Sequence, residues 1–344
     1  MESMVKGSDT EEMRAVIVRQ PGGVEGLELG RAPAPVLAAG CVEISVRATA
    51  LNRADLLQRR GLYPPPPGAS EILGLECAGV VREVAAGVTE YRSGDRVMAL
   101  LAGGGYAERV VVPAGLVLPI PSGFSFEQAA AIPEAFLTAS EALFSVGKLS
   151  AGDSVLIHAA AGGVGGAAVQ LAKLAGARVL AGAGSAEKVA WVKALGADLV
   201  FNHREADFEA LCLAETAGRG VDVVIDFVGA PYAERHLRCL AEAGRWVVVG
   251  VLGGALGTLD FARVLRRRLQ IAGLVMRSRS VADKTAIVRR FAERLWPHFE
   301  SGELKPMIDR VYPWADVRAA HERMEQSSNS GKIVLRVTAD ALPV

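Results

Sequence analysis

Little in this sequence points toward a membrane, the extracellular space or a nucleic acid. It has four cysteines in 344 residues (Cys41, Cys77, Cys212, Cys239), scattered and without a CxxC pair. That excludes a disulfide-stapled secreted scaffold, and they read as single buried thiols in a reducing compartment. No apolar run reaches the roughly 18 residues of a membrane helix. The polar residues 1–12 lack the apolar segment of a secretory signal; they are expected to be disordered, with the fold beginning at Met13. An excess of one charge is missing too: 38 Lys and Arg balance 38 Asp and Glu. Such neutrality argues against a dedicated binder of nucleic acid or anionic membrane. Aromatics are scarce at 6%. The cytoplasm is the expected location. What abounds is glycine, 38 residues, and hydrophobic residues, 51% of the chain. The length suggests two domains, and this composition can fill two cores.

Two textures follow one another. From Met13 to about residue 120, short β-rich runs (15–18, 41–46, 79–84, 109–112) are broken by turn signals at Pro21-Gly22-Gly23, Ser93-Gly94-Asp95 and Gly103-Gly104-Gly105. Short strands at this density suggest a barrel-like all-β domain. After Pro133, apolar runs at 155–158, 178–181, 198–201, 221–227, 246–249 and 269–274 alternate with helical stretches. Continuous Val/Ile/Leu runs joined by helices imply a parallel sheet buried on both faces, here a doubly wound dinucleotide-binding sheet. The tail holds helices at 284–295 and 316–325, then a strand at 331–335 that could return to the first domain.

The sharpest local signal runs from Val155-Leu156-Ile157-His158 through Ala161-Gly162-Gly163-Val164-Gly165 into a helix. A pyrophosphate needs bare backbone and the free N–H groups of a helix start, so Ala161, Gly162, Gly163, Val164 and Gly165 are expected to hold one. Two registers fit: Gly163-x-Gly165-x-x-Ala168, and Ala160-x-Gly162-x-x-Gly165. About twenty residues on, an NAD site normally carries an acid for the ribose 2′-hydroxyl. Here Ala181-Gly182-Ala183-Gly184-Ser185 has none. That leaves room for a 2′-phosphate, which Ser185 can hydrogen-bond and Lys188 can meet with charge. The expected cofactor is NADPH; the plainer reading of Lys188 is a solvated helix residue.

At this point the chain resembles the zinc-independent quinone oxidoreductases of the medium-chain dehydrogenase/reductase superfamily, most of all the tumour-suppressor-inducible subgroup. The resemblance rests on Leu51-Asn52-Arg53-Ala54-Asp55-Leu56, Gly61-Leu62-Tyr63 with its four prolines, Ile72-Leu73-Gly74-Leu75-Glu76, Ala130-Ala131-Ile132-Pro133-Glu134-Ala135, the glycine loop, and Gly331-Lys332-Ile333-Val334-Leu335. It implies a GroES-like catalytic domain from both chain ends (13–136 and 281–344) around an inserted Rossmann domain (137–280), NADPH between them, and a homodimer. It also implies that Tyr63 lies beside the nicotinamide, that Asn52 is an active-site amide, and that His203 replaces a tyrosine at the adenosine end. Thr138, Val228, Val251, Gly253, Asn329 and Gly331 stand at its cofactor positions. The plainer alternatives are a tyrosine packed on proline rings, an Asx turn for Asn52 and a surface histidine for His203.

Zinc is not expected. Where alcohol-dehydrogenase relatives place a cysteine and a histidine on catalytic zinc, this chain has Asn52 and Leu75, and no cysteine lies between Cys77 and Cys212. His158 is expected to satisfy buried backbone rather than to catalyse. The basic group Arg263, Arg266, Arg267, Arg268 reads as a solvated helix face, without aromatics for base stacking. The expected activity is hydride transfer from NADPH to a quinone or similar conjugated carbonyl (a quinone or enone substrate). The alternatives are an enoyl-thioester reductase and, outside catalysis, an NADPH-regulated RNA-binding protein.

Overall fold

In the computed structural model, residues 11–337 are described and divide into two compact units. The first holds the chain up to Ala130, then Val311–Ser327 and the chain from Ile333; the second holds Ala131–Arg310 and Ser328–Lys332. Residues 281–310, expected with the first domain, thus group with the second unit. Residues 1–10 lie outside the described part, whereas Glu11 and Glu12 belong to the fold: Glu12 opens the first strand, and Glu11 accepts a hydrogen bond from the Ala34 N–H at 2.7 Å.

In the first unit, β1 (Glu12–Val18) and β2 (Leu27–Pro33) form an antiparallel pair. The main sheet begins with β3 (Cys41–Ala50), which leads into α1 (Arg53–Arg59). It continues with β4 (Glu76–Val84), β5 (Arg96–Leu100), β6 (Arg109–Pro113) and β7 (Val117–Pro119), before α2 (Phe126–Ala130). In β6, Val110 and Val112 are buried while Arg109, Val111 and Pro113 are only half-buried, the alternation of a sheet with one core face. β3 is the hub: β4 covers one edge, and the other is shared by β6 along Cys41–Ser45 and by the last strand along Ala48–Ala50.

The second unit opens with α3 (Pro133–Ser140), which runs on into a π-helical turn, Glu141–Val146. Then come β8 (Ser154–Ile157), α4 (Gly163–Leu174), β9 (Arg178–Ala183), α5 (Ala186–Ala194), β10 (Leu199–Asn202), α6 (Phe208–Glu215), β11 (Val221–Asp226), α7 (Ala233–Cys239), β12 (Leu240–Val248), α8 (Phe261–Arg266) and β13 (Gln270–Gly273). The strand order is β10-β9-β8-β11-β12-β13 and every pairing is parallel. All six expected apolar runs are in this sheet. α9 (Val281–Glu300) buries Ile287, Phe291, Leu295 and Phe299, a spacing of four that puts them on one stripe. Phe299 meets Phe136 of α3 edge-on at 5.0 Å between ring centroids. β14 (Ile308–Pro313), α10 (Val317–Glu325) and β15 (Lys332–Arg336) complete the chain, and β15 pairs with β3.

Among the described residues, no helix is long and apolar enough to cross a membrane. Cys212 and Cys239, apart in sequence and expected to be single thiols, lie in one core of the second unit; the neighbouring Cys239 thiol first, and burial second, raise the Cys212 thiol well above its ordinary range.

Candidate functional site

In the second unit β8 and β11 lie side by side, and the chain winds outward from them in opposite directions. A crevice at the carboxyl ends of such strands is where an α/β sheet of this order takes a nucleotide. The backbone there is shaped tightly. Ala159 adopts φ +47°, and the Ala160 N–H reaches the Gly182 carbonyl at 3.0 Å. Gly162 is the N-cap of α4 and supplies no side-chain cap. The N–H groups of Gly163, Val164 and Gly165 therefore stand in a first turn that has no intrahelical acceptor for them. A Cβ on Gly165 would lie 2.4 Å from the Ala159 oxygen and 2.7 Å from the Ala160 Cα. That crowding suits Gly165 to the helix-packing role of a third fingerprint glycine, as in the register Ala160-x-Gly162-x-x-Gly165.

A distant segment meets this loop within the same unit. Gly331, at φ +92°, donates its N–H to the Ala161 oxygen at 2.8 Å and bridges Gly162 in parallel. Asn329 Nδ2 donates to the Gly331 oxygen at 2.8 Å. The Lys332 stem crosses α4 so closely that a Cβ on Gly163 would lie 2.4 Å from its Cδ. Beyond β11, the N–H groups of Val228 and Gly229 are gathered by the buried Asp226 carboxylate, which also accepts from the Trp246 indole at 3.0 Å. Gly253 donates to the Val228 oxygen at 2.8 Å, which joins the loops after β11 and β12, and Val251 beside it is about half exposed. The Thr138 hydroxyl is buried without a hydrogen-bond partner. An orphaned buried hydroxyl, bare first-turn N–H groups and glycines under steric pressure fit a dinucleotide.

At the end of β9, Ser185 caps α5 by accepting the Lys188 N–H at 3.3 Å, which leaves its own O–H free to donate elsewhere. Lys188 is half-buried and His203 is exposed. The His203 main chain is fixed by an N–H bond to the Ala183 oxygen at 2.9 Å, and its Nδ1 lies 3.5 Å from the Tyr232 hydroxyl.

Asn52 and Tyr63 belong to the first unit. Asn52 is the N-cap of α1 in a reciprocal capping box with Asp55, and its Nδ2 also donates to Glu76 Oε1 at 2.9 Å. The Asx-type role and a side-chain contact to a buried acid therefore coexist. Tyr63 is half-buried on the irregular proline segment. Leu75, where a histidine ligand would stand, is fully buried and apolar. Among the described residues no group of three or more His, Cys, Asp or Glu side chains is placed to hold a metal.

Two expectations need correction. His158 does not satisfy backbone with its ring: its Nε2 lies 2.9 Å from His236 Nε2. Burial pushes His158 down to about 3 and His236 well below its ordinary value, so both rings are neutral, one donating and the other accepting. The arginines after residue 260 are not simply a solvated face. Arg263 donates to the Leu237 and Arg238 oxygens at the end of α7, Arg267 to the Leu240 oxygen, and Arg268 pairs with Glu242. Exposed carbonyls at a helix end attract cations, and nothing in the local sequence disclosed that those carbonyls were in reach.

Comparison with known proteins agrees with this geometry. Residues 38–122 match the alcohol dehydrogenase GroES-like domain, and residues 163–293 match a family described as zinc-binding dehydrogenase. A quinone oxidoreductase from Rattus norvegicus is 34% identical over 328 residues, 94% of this chain and 97% of that protein. The solved structure of an NAD-dependent alcohol dehydrogenase superposes with a TM-score of 0.85 at 36% identity, covering 95% of this chain and 100% of the other. The structure of a mycobacterial protein complexed with NADPH gives 0.86 at 31% identity, covering 94% and 100%.

Proposed function

The chain belongs to the medium-chain dehydrogenase/reductase superfamily, among its quinone oxidoreductase-like members, and from that premise we propose that this oxidoreductase is an NADPH-dependent, metal-independent reductase of quinones or similar conjugated carbonyls. The bound cofactor supplies the hydride. The observation that carries the reading is the uncapped start of α4 behind Gly162–Gly165, combined with the end of β9, where no acid stands to repel a 2′-phosphate. The loop residues Ala161 to Gly165 hold the pyrophosphate against the α4 dipole, with Asn329 and Gly331 bracing the loop. Ser185 and Lys188 receive the 2′-phosphate, and His203 flanks the adenosine. Thr138, Val228, Val251 and Gly253 border the nicotinamide half. In the first unit, Asn52 orients the reacting carbonyl through its amide and Tyr63 contacts the quinone. Hydride acceptance is intrinsically easy for a quinone, so positioning and hydrogen bonding suffice. With Asn52 and Leu75 at the ligand positions, the donor chemistry suits an organic carbonyl better than a zinc ion.

We also propose a homodimer in the cytoplasm. β13 is the edge of its sheet, and Ile271, Phe261, Leu265 and Val275 on and beside it are exposed apolar side chains that a second copy would cover. The cysteines carry no disulfide. Steady-state NADPH oxidation with a quinone panel and an enoyl-CoA panel tests the activity. Turnover confined to enoyl thioesters would replace the quinone reading, and an inert protein that shifts RNA in a gel would replace catalysis altogether. Stoichiometric zinc by elemental analysis would overturn the metal-independent reading.

A further inference from the structure

The side chain that fixes Asn52 is Asp55, one turn along α1 and fully buried. Its Oδ2 accepts the Asn52 main-chain N–H at 2.7 Å and its Oδ1 accepts the Gly74 main-chain N–H at 3.1 Å. One carboxylate thus ties the start of α1 to the segment entering β4, where Glu76 accepts from the Asn52 amide. Behind Asp55 stands a file of buried polar side chains from the segment before β6, from α10 and from the end of α1 itself. The Tyr106 hydroxyl lies 3.4 Å from Asp55 Oδ2 and 3.3 Å from His321 Nε2, and His321 Nδ1 lies 3.3 Å from Arg59 NH1. Arg59 is itself held by the Gly22 oxygen at 3.0 Å and by Glu325.

The arginine sets every direction in this file. A guanidinium has donors only, so His321 Nδ1 must accept and the ring proton must sit on Nε2. That N–H then donates to Tyr106 Oη, whose own proton is left to point at Asp55. Burial pushes His321 down to about 3 and, with the Asp55 charge beside it, raises Tyr106 well above its ordinary range, so neither group changes charge near neutral pH. Four buried polar side chains in one network are a poor route to stability, since a well-packed apolar core is often as stable or more so. What such a network does provide is a single geometry.

We propose that Asp55, Tyr106 and His321 are positioning residues that fix the Asn52 main chain, and through it hold the Asn52 side-chain amide in the orientation required by the reacting carbonyl. The inference rests on reading Asn52 as an active-site residue. Tyr106→Phe keeps the ring and removes the directed proton. With a quinone it should lower kcat about tenfold, within the range for misplacement of a positioned group, while NADPH affinity in the second unit stays within twofold. His321→Leu should do the same, and His321→Gln, whose amide both accepts from Arg59 and donates to Tyr106, should restore kcat to within about twofold. Because the network acts through Asn52, Asn52→Ala combined with Tyr106→Phe should be no slower than Asn52→Ala alone. A purely structural network would shift the melting temperature and leave kcat of the folded protein unchanged, and one that acted on turnover by a route other than Asn52 would slow Asn52→Ala further. Wild-type kcat in Tyr106→Phe beside an impaired Asn52→Ala overturns the inference alone; wild-type turnover in Asn52→Ala overturns the active-site reading of Asn52 and this inference with it. Should Tyr106→Phe not fold, the His321→Leu and His321→Gln pair decides, and equal kcat in the two refutes the proposal.

Discussion

Gly162→Ala and Gly165→Ala, three residues apart in one loop, should fail in different ways. At Gly165 the added methyl would stand 2.4 Å from the Ala159 oxygen, against 3.4 Å or more for an ordinary contact. The first turn of α4 would have to retreat by about 1 Å to relieve it. Overpacking of this kind costs about 1–3 kcal/mol, which for a unit of this size lowers the melting temperature by about 2–12 °C. At Gly162 the nearest atom to an added methyl is the Ala159 oxygen at 3.3 Å, and φ is −81°, so the backbone suits alanine. Stability should stay within about 0.5 kcal/mol. The methyl would nevertheless stand at the helix start, where the pyrophosphate must meet bare backbone, and the Kd for NADPH should rise about tenfold, or 1.4 kcal/mol. Calorimetric unfolding of the apoprotein and NADPH titration measure the two quantities separately. If the fingerprint were Gly163-x-Gly165-x-x-Ala168, the main affinity loss would move to Gly165→Ala and Gly162→Ala would be innocuous. Unchanged unfolding of Gly165→Ala, or wild-type affinity in Gly162→Ala, refutes the assignment of the loop.

Further outcomes are expected from the same chemistry. NADPH should bind at least about tenfold tighter than NADH, and Lys188→Ala should shrink that preference; equal affinities by calorimetry would remove the argument from the end of β9. Tyr63→Phe should keep NADPH affinity and lower quinone turnover several-fold, and Tyr63→Ala should lose more, so wild-type kinetics in Tyr63→Ala would make the proline segment merely structural. Acid should destabilise the fold well before its carboxylates titrate. His158 and His321 are pushed down to about 3 from an ordinary 6.5, so the unfolded chain takes up protons first as pH falls. Their contribution is full above pH 6.5 and is lost on the way to 3, at up to about 1.4 kcal/mol per pH unit per histidine, or about 5 kcal/mol between pH 6 and 4. Urea unfolding of equal stability at those two pH values would contradict their burial as neutral rings.

The second unit was legible where its strands are buried on both faces. Runs such as Val221–Asp226 have no polar face to confuse the period. Boundaries were lost where a local signal outweighed packing. β12 starts at Leu240, six residues before the expected run, through Glu242 and a left-handed Ala243 that interrupt the apolar pattern. α9 extends past Pro297 to Glu300, beyond where a proline suggests an end, and its Ser280 cap on the Asp283 N–H was a readable signal for its start. In the site, the glycine loop and the Asn52-x-x-Asp55 capping box are local patterns and can be found in sequence. The rest is not local. His158 meets His236 from 78 residues away, and Tyr106 meets His321 from 215. Single histidines and tyrosines on apolar runs look like ordinary core residues until the fold supplies their partners.

The shared edge of β3 bears on how the chain is made. During synthesis the first hundred or so residues emerge with β3, β4, β5 and β6 able to pair, but the Ala48–Ala50 half of the β3 edge must wait for Val334–Arg336, nearly three hundred residues later. The 131–310 block of the second unit is contiguous and leaves the ribosome in one piece, so it can collapse first. Until β15 has emerged, the nascent first unit carries an open β edge, the kind of surface that pairs with the wrong strand. Arrival of β15, rather than growth of the first sheet itself, is then the step that closes this edge.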